Sequence, residues 1–445
     1  MLTVLAGVAA GQEASPSPLP TGRVVDSVVC VHDPSQSYAL YLPSGYDTRR
    51  RWPILYAFAP NGRGSMPVNL FSEAAEDYGY IVVGSNNSKN GPMAPILAAM
   101  DALWRDTQTR FAIDPNRIYS TGSSGATSPA ILLGFAQGAG VIACAGALDA
   151  RSVHYPKDRV KPLSWFGVAG IADFNYPLME SFGRHLQKLG VATRFVTFDG
   201  RHSWPPKEVA RQAIEWMEIQ AIKSGDRKRD PSVIDALFQG GLVRAREREA
   251  AGRVDEAATE YAALARDFAE LKPVAEVEAK ARALYDSKEA KTARRCLKEA
   301  SRRQQEEMAS FAETTRDLWS SRIERLKKEA ARKPAGDWIC ARRVLDYLRI
   351  VTVEAARESI EKRDYAAAIA DFRLSVGIEP SAMAYIALSR ALALQKDKRK
   401  AIDALWSAVA AGLRDRAVLE REKDFDVLRQ EPAYLKVVES IAPPE

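Results

Sequence analysis

The strongest constraint on the fold is an alternation. Between Val24 and Ser224, short apolar runs bounded by turn residues alternate with longer stretches of helical period. The runs Val24–Val31, Ser37–Leu42, Pro53–Ala59, Tyr80–Ser85, Arg117–Thr121, Val141–Leu148, Leu163–Ala169 and Ala192–Phe198 read as strands. Pro67–Tyr78, Ala94–Arg110, Gly125–Gln137, Tyr176–Leu189 and Pro206–Ser224 read as helices. Parallel strands need a crossover between them, usually a helix. This succession therefore predicts a mostly parallel sheet of about eight strands, covered on both faces.

One junction in that pattern carries chemistry. Arg117-Ile118-Tyr119-Ser120-Thr121 runs into Gly122-Ser123-Ser124-Gly125-Ala126, and a helical stretch follows to Gln137. A serine at a tight strand-to-helix turn is lifted off the sheet edge, and the first N–H groups of the helix face the same space. Ser124 is the expected nucleophile. The Ser123-Ser124 doublet leaves a second frame open, but the run from Arg117 through Gly122 favours Ser124.

A serine hydroxyl is a poor nucleophile until a base removes its proton, and the chain has only four histidines, His32, His154, His185 and His202. His202 follows the strand Ala192–Phe198 and is the expected base. His185 lies in an amphipathic helical stretch, His32 at a strand exit, and His154 between strands with no partner pattern around it. The imidazole needs a carboxylate to fix its tautomer and stabilise its cation. The chain order Ser…Asp…His puts that acid between them. Asp173 falls at the exit of Leu163–Ala169, the strand before the histidine strand. Asp149, after Val141–Leu148, is the competitor, one strand early. Asp199 more plausibly closes a turn.

The tetrahedral oxyanion needs two aimed donors, each worth about 2.7–4 kcal/mol of barrier. One is expected from the N–H of Gly125. The other should come from the exit of the third strand, Ala59-Pro60-Asn61-Gly62-Arg63-Gly64, through Asn61 or Gly62. Trp204, two residues past His202, is the expected substrate-facing aromatic.

Residues 24 to 224 resemble an α/β-hydrolase of the polyhydroxybutyrate-depolymerase and feruloyl-esterase type. The matching pieces are Tyr38 to Tyr46, Asp114-Pro115-Asn116-Arg117-Ile118-Tyr119, the Ser124 elbow, Gly167 to Asn175, and Phe198 to Pro206. The resemblance implies Ser124, Asp173 and His202 as nucleophile, acid and base of a carboxylic ester hydrolase. It implies no cofactor and no metal. Two departures stand out: Ala126 replaces the last glycine of Gly-x-Ser-x-Gly, and Pro129 falls in the first turns of the following helix. The short span from Leu148 to Leu163 leaves no room for a large cap, so the site should be open to a bulky or polymeric ester. Two alternatives share these features: a hydrolase-fold scaffold that has lost activity, and a serine peptidase of the prolyl-oligopeptidase type.

The composition is that of a globular chain of two or three domains, with 46% hydrophobic residues over 445. The net charge of +6 is mild. Basic residues alternate with acidic ones along helices, with no aromatic-interleaved basic patch, which argues against nucleic acid. Cys30, Cys144, Cys296 and Cys340 are far apart and form neither a disulfide framework nor a metal motif. The apolar Met1–Ala10 lacks a basic n-region yet ends in small residues. The expectation is export to the periplasm or exterior of a bacterium, and a cytoplasmic protein if this is no signal. No later run approaches a membrane span.

Past Ser224 the texture changes. Gly225-Asp226-Arg227-Lys228-Arg229-Asp230-Pro231 is a charged hinge, and nearly everything after it is helical in period. Gly252 to Tyr261, Asp364 to Phe372, and Ala401 to Leu405 with Ala408 resemble tetratricopeptide repeats, the last about one repeat length after the second. Ala279 to Lys333 lacks that pattern and reads as a long helical hairpin. The division expected is a leader and linker over 1–20, a hydrolase domain over 21–225, and an all-α repeat-like domain over 226–445. Such arrays bind a protein or peptide on a concave face. Because the triad is complete by His202, the chain up to Gly225 is expected to fold by itself.

Overall fold

A computed structural model describes residues 19–149, 163–332 and 337–441. The expectations for the leader, for His154 and for most of the short span after Leu148 fall outside these residues. The eight expected strands are all present: β1 (Val24–Val29), β2 (Ser37–Tyr41), β3 (Trp52–Phe58), β4 (Ile81–Ser85), β5 (Ile113–Ser123), β6 (Gly140–Cys144), β7 (Ser164–Gly170) and β8 (Ala192–Phe198). They form one sheet in the order β1-β2-β4-β3-β5-β6-β7-β8. β1 and β2 are antiparallel additions at one edge, while β3 runs parallel to β4 and to β5. The expected helices are α1 (Ser65–Tyr78), α2 (Met93–Arg110), α3 (Thr127–Gln137), α4 (Tyr176–Lys188) and α5 (Lys207–Ser224). Every residue of β3, β4, β6 and β7 is buried. That is why these strands read as continuous apolar runs rather than alternating ones. β6 stops at Cys144, short of the expected Leu148, because Ala145 turns to φ 53°. A left-handed residue cannot continue a strand.

Contacts group the chain into two compact units. The described residues of Met1–Ala143, Tyr155–Phe166 and Pro206–Ala221 form one, and those of Cys144–His154, Gly167–Pro205 and Ile222–Glu445 the other. The first unit has a core of Tyr38, Leu40, Ile54, Tyr56, Phe58, Ile81, Val83, Ile118 and their neighbours. Its buried Arg117 pairs with Glu218, which also accepts from the Tyr80 hydroxyl.

The second unit is mostly helical: α6 (Pro231–Ala250), α7 (Val254–Phe268), α8 (Ala275–Tyr285), α9 (Lys288–Ala312), α10 (Trp319–Ala330), α11 (Asp337–Glu361), α12 (Tyr365–Ile378), α13 (Ala382–Leu394), α14 (Lys398–Ala410), α15 (Ala417–Arg421) and α16 (Pro432–Ser440). The three repeat-like motifs share one local structure. Each opens the second helix of a hairpin (α6/α7, α11/α12, α13/α14), after a turn with a left-handed residue: Gly252, Arg363 or Lys396. The N–H of the next residue bonds back to the carbonyl five residues earlier (Arg253 to Arg248, Asp364 to Ser359, Asp397 to Leu392), the Schellman pattern. Four residues on, Ala257, Ala368 and Ala401 are each fully buried, so the helices approach closely there. In the stretch expected to be a long hairpin, α9 and α10 follow one another and both pack on α11. Phe311 and Trp319 meet edge-to-face at their junction, with centroids 5.2 Å apart.

Helical residues in this unit also hold β8 and the loops after β7 and β8. Arg194 of β8 is buried between Glu260 (2.5 Å) and Asp267 (2.9 Å) of α7. Both carboxylates lie beyond Gly225, so the chain up to Gly225 does not carry the partners of Arg194. Among the described residues, no helix is long and apolar enough to cross a membrane.

Candidate active site

The serine elbow belongs to the first unit. β5 ends at Ser123, which is 4% exposed with extended φ of −121°, and the chain then turns sharply at Ser124, φ 55°. A left-handed non-glycine residue costs on the order of 1–3 kcal/mol and persists only where its surroundings impose it. Here the surroundings are tight: a Cβ on Gly122 would lie 2.1 Å from the Ala126 carbonyl oxygen. Of the serine doublet, Ser123 faces the core and Ser124 is half-buried at the turn. Ala126, the departure from the glycine pattern, sits at φ −72°, ψ −3°, where an L-residue is unstrained, and its methyl joins the core. Pro129 is the third residue of α3, where its missing N–H has no intrahelical partner to lose.

The loop after β3 lies in the same unit. Gly62, φ 69°, donates its N–H to the Ala59 carbonyl (3.0 Å). Asn61 forms a lone antiparallel bridge with Lys89, and Asn90 donates its N–H to Pro60 (2.8 Å). Sequence reasoning missed Asn90. Its side-chain amide lies so close to the elbow that a Cβ on Gly125 would come within 2.7 Å of its Oδ1. Only the polar run Asn86-Asn87-Ser88-Lys89-Asn90-Gly91 after β4 hints at it.

The acid and base belong to the second unit and meet there. Asp173 Oδ1 lies 2.9 Å from His202 Nδ1, with the carboxylate fully buried and the imidazole 7% exposed. Asp173 Oδ1 also accepts the N–H of Asn175 (2.8 Å). A carboxylate on Nδ1 selects the tautomer with hydrogen there and leaves Nε2 as an acceptor. The two loops are pinned to each other. Ile171 N–H donates to Phe198 O (2.9 Å) and Ala172 N–H to Gly200 O (3.0 Å), and a Cβ on Gly170 would lie 2.4 Å from Gly200 O. Trp204, in the histidine loop, is half-buried; His185 on α4 is half-buried too, and His32 is exposed.

Several supporting residues carried no sequence signal. Phe174 stacks on His202 with ring centroids 4.3 Å apart, and Tyr347 of α11 meets Phe174 edge-on at 5.6 Å. Arg343 is fully buried over the Tyr176 ring (4.2 Å), and burial brings its guanidinium down to about 10. Among the described residues, no group of His, Cys, Asp or Glu is arranged to hold a metal ion.

No protein-family model matches the chain. No curated protein matches it either. Solved structures do. A ferulic acid esterase is 15% identical with a TM-score of 0.36, over 44% of this chain and 97% of that one. An S-formylglutathione hydrolase (FrmB) from Staphylococcus aureus is 14% identical, TM-score 0.35, over 45% of this chain and 98% of that one. Est1E from Butyrivibrio proteoclasticus is 14% identical, TM-score 0.35, over 44% and 99%. With its strand order and its serine turn after β5, the N-terminal half has the α/β-hydrolase fold, and an all-α region follows it.

Proposed function

We propose that the protein is a serine esterase. Ser124 Oγ attacks the ester carbonyl while His202 Nε2 takes its proton, and Asp173 holds the imidazole and stabilises the imidazolium. The N–H groups of Gly125 and Asn61 receive the oxyanion. The choice of Asn61 over Gly62 rests on the Gly62 N–H being committed to Ala59. Collapse of the tetrahedral species expels the alcohol, which takes the proton from His202 and leaves an acyl-enzyme. Water then repeats the sequence and releases the acid. The observation that carries this reading is the buried Asp173–His202 hydrogen bond, an arrangement a scaffold without activity has no reason to keep. The unstrained Ala126 supports a working elbow. The reading extends to a bulky or polymeric ester, with Trp204 against the substrate.

The helical half is proposed to bind a protein or peptide as a tetratricopeptide-like array. A groove of about 390 Å³ beside α7 and α8, lined by Ala262, Ala265, Ala269, Val274, Ala281 and Tyr285, supports this. The test of the esterase reading is hydrolysis of a short-chain p-nitrophenyl ester. Turnover is expected from wild type, and nearly none from Ser124→Ala. Full rate in Ser124→Ala beside a dead Ser123→Ala would reassign the nucleophile.

A further inference from the structure

We infer that the helical half holds the acid–base pair in register, and that Asp346 is the positioning residue for His202. The inference rests on the esterase reading for its catalytic meaning, but its geometry lies within one compact unit. Asp173 and His202 both sit on loops, which by default are the more mobile parts of a fold. Here each loop is tied to helices far along the chain. The Asp173 loop accepts Arg343 Nε–H at the Ile171 carbonyl (2.8 Å) and Gln304 Nε2–H at the Phe174 carbonyl (2.6 Å). The histidine loop donates the His202 backbone N–H to Asp346 Oδ2 (2.9 Å), and Arg201 binds Glu379 through both terminal nitrogens (3.1 and 2.8 Å).

Three of these groups share one face of α11. Arg343, Asp346 and Tyr347 are spaced i, i+3 and i+4, the spacing that brings helical side chains together. Arg343 reaches the acid loop, Asp346 the histidine, and Tyr347 the Phe174 ring stacked on that histidine. Asp346 is itself fixed: it is 2% exposed and its Oδ1 accepts from Arg349 Nη2 (2.9 Å), while Arg349 also faces Glu379 at 3.4 Å. A charge-assisted bond from a held carboxylate to the backbone of the base is short and directional. It fixes where the imidazole stands without touching substrate. One helix face thus sets the spacing of both loops, and the helical half becomes part of the catalytic apparatus.

The test uses the full chain with Asp346→Leu and Asp346→Asn; the amide of the latter retains an oxygen for the His202 N–H. Asp346→Leu should lower kcat on p-nitrophenyl acetate by about 10- to 10²-fold, as small misplacements of a reacting group do, with KM little changed. Asp346→Asn should restore most of the rate. A second readout needs no turnover. The low-field proton resonance of His202 Nδ1–H, assigned with His202→Gln, should be present in wild type and Asp346→Asn and lost in Asp346→Leu. A folded Asp346→Leu with wild-type kcat and resonance overturns the inference and leaves the esterase reading standing. A wild type without ester turnover sinks the esterase reading, and the resonance still decides the positioning. Should Asp346→Leu not fold, Asp346→Ser and Arg349→Met carry the same expectation, and an unchanged resonance in both overturns it.

Discussion

Replacing Asp173 by asparagine removes a charge and almost no volume, so the structure allows its cost to be worked out. Asp173 Oδ1 accepts from two donors, His202 Nδ1–H and the Asn175 N–H. An amide with its NH2 at that position would oppose both. An amide with its oxygen there keeps both bonds, so this orientation is expected and the imidazole retains its working tautomer. What is lost is the negative charge that stabilises the imidazolium. The amide nitrogen then takes the place of Oδ2, a buried atom with no protein hydrogen-bond partner, in the positive field of Arg343. The loss of about 10⁴-fold seen when an asparagine imposes the wrong tautomer is therefore an upper bound. We expect a fall in kcat of about 10²- to 10³-fold, or about 2.7–4 kcal/mol. The assay is steady-state hydrolysis of p-nitrophenyl acetate, with circular dichroism to check the fold. A loss under about threefold, or an equal loss in Asp149→Asn, would refute the reasoning.

Other outcomes follow from buried groups. Arg194→Met strands Glu260 and Asp267, which are 5% and 3% exposed. Breaking such a pair costs about 3–5 kcal/mol, and the low end is expected because Arg244 and Arg248 remain 3.5 and 3.6 Å from Glu260. Urea unfolding measures it. Burial pushes the Glu260 carboxyl up, but Arg194, Arg248 and Arg244 outweigh this and hold it below its ordinary value. Its contribution to stability should then be complete above about pH 4.3 and fall as pH drops through the lowered native value. Arg194→Met should flatten that acid limb in denaturation midpoints measured across pH. Gly122→Ala would put a methyl 2.1 Å from the Ala126 carbonyl oxygen. It should cost about 1–3 kcal/mol and abolish most ester turnover, whereas Ser123→Ala should leave turnover near wild type.

The middle of the sheet was legible because β3, β4, β6 and β7 are buried along their whole length and so appear as nearly unbroken apolar runs. Ser124 stood out because Gly122 and the following helix frame it. The pairing of Asp173 with His202 was legible from chain order alone, since successive parallel strands bring their exits to one edge. The ends of elements were less legible: nothing in Ala145-Gly146-Ala147-Leu148 announces that the chain turns at Ala145. The residues holding the loops were not legible at all. Arg343 and Asp346 sit in an Arg-rich helix whose charges read as a solvated face, yet they are 0% and 2% exposed. Their partners are backbone groups more than a hundred residues away, and no local period encodes such a contact. The substitution of Ala126 for glycine looked like a weakness. Its backbone is unstrained there, because this position needs no positive φ; the strain falls on Ser124.

The most direct test of the central claim is labelling with a fluorophosphonate followed by peptide mapping. The account predicts one adduct, on Ser124, that disappears in Ser124→Ala, persists in Ser123→Ala and slows in His202→Gln. An adduct on Ser123, or labelling indifferent to both Ser124 and His202, would contradict it.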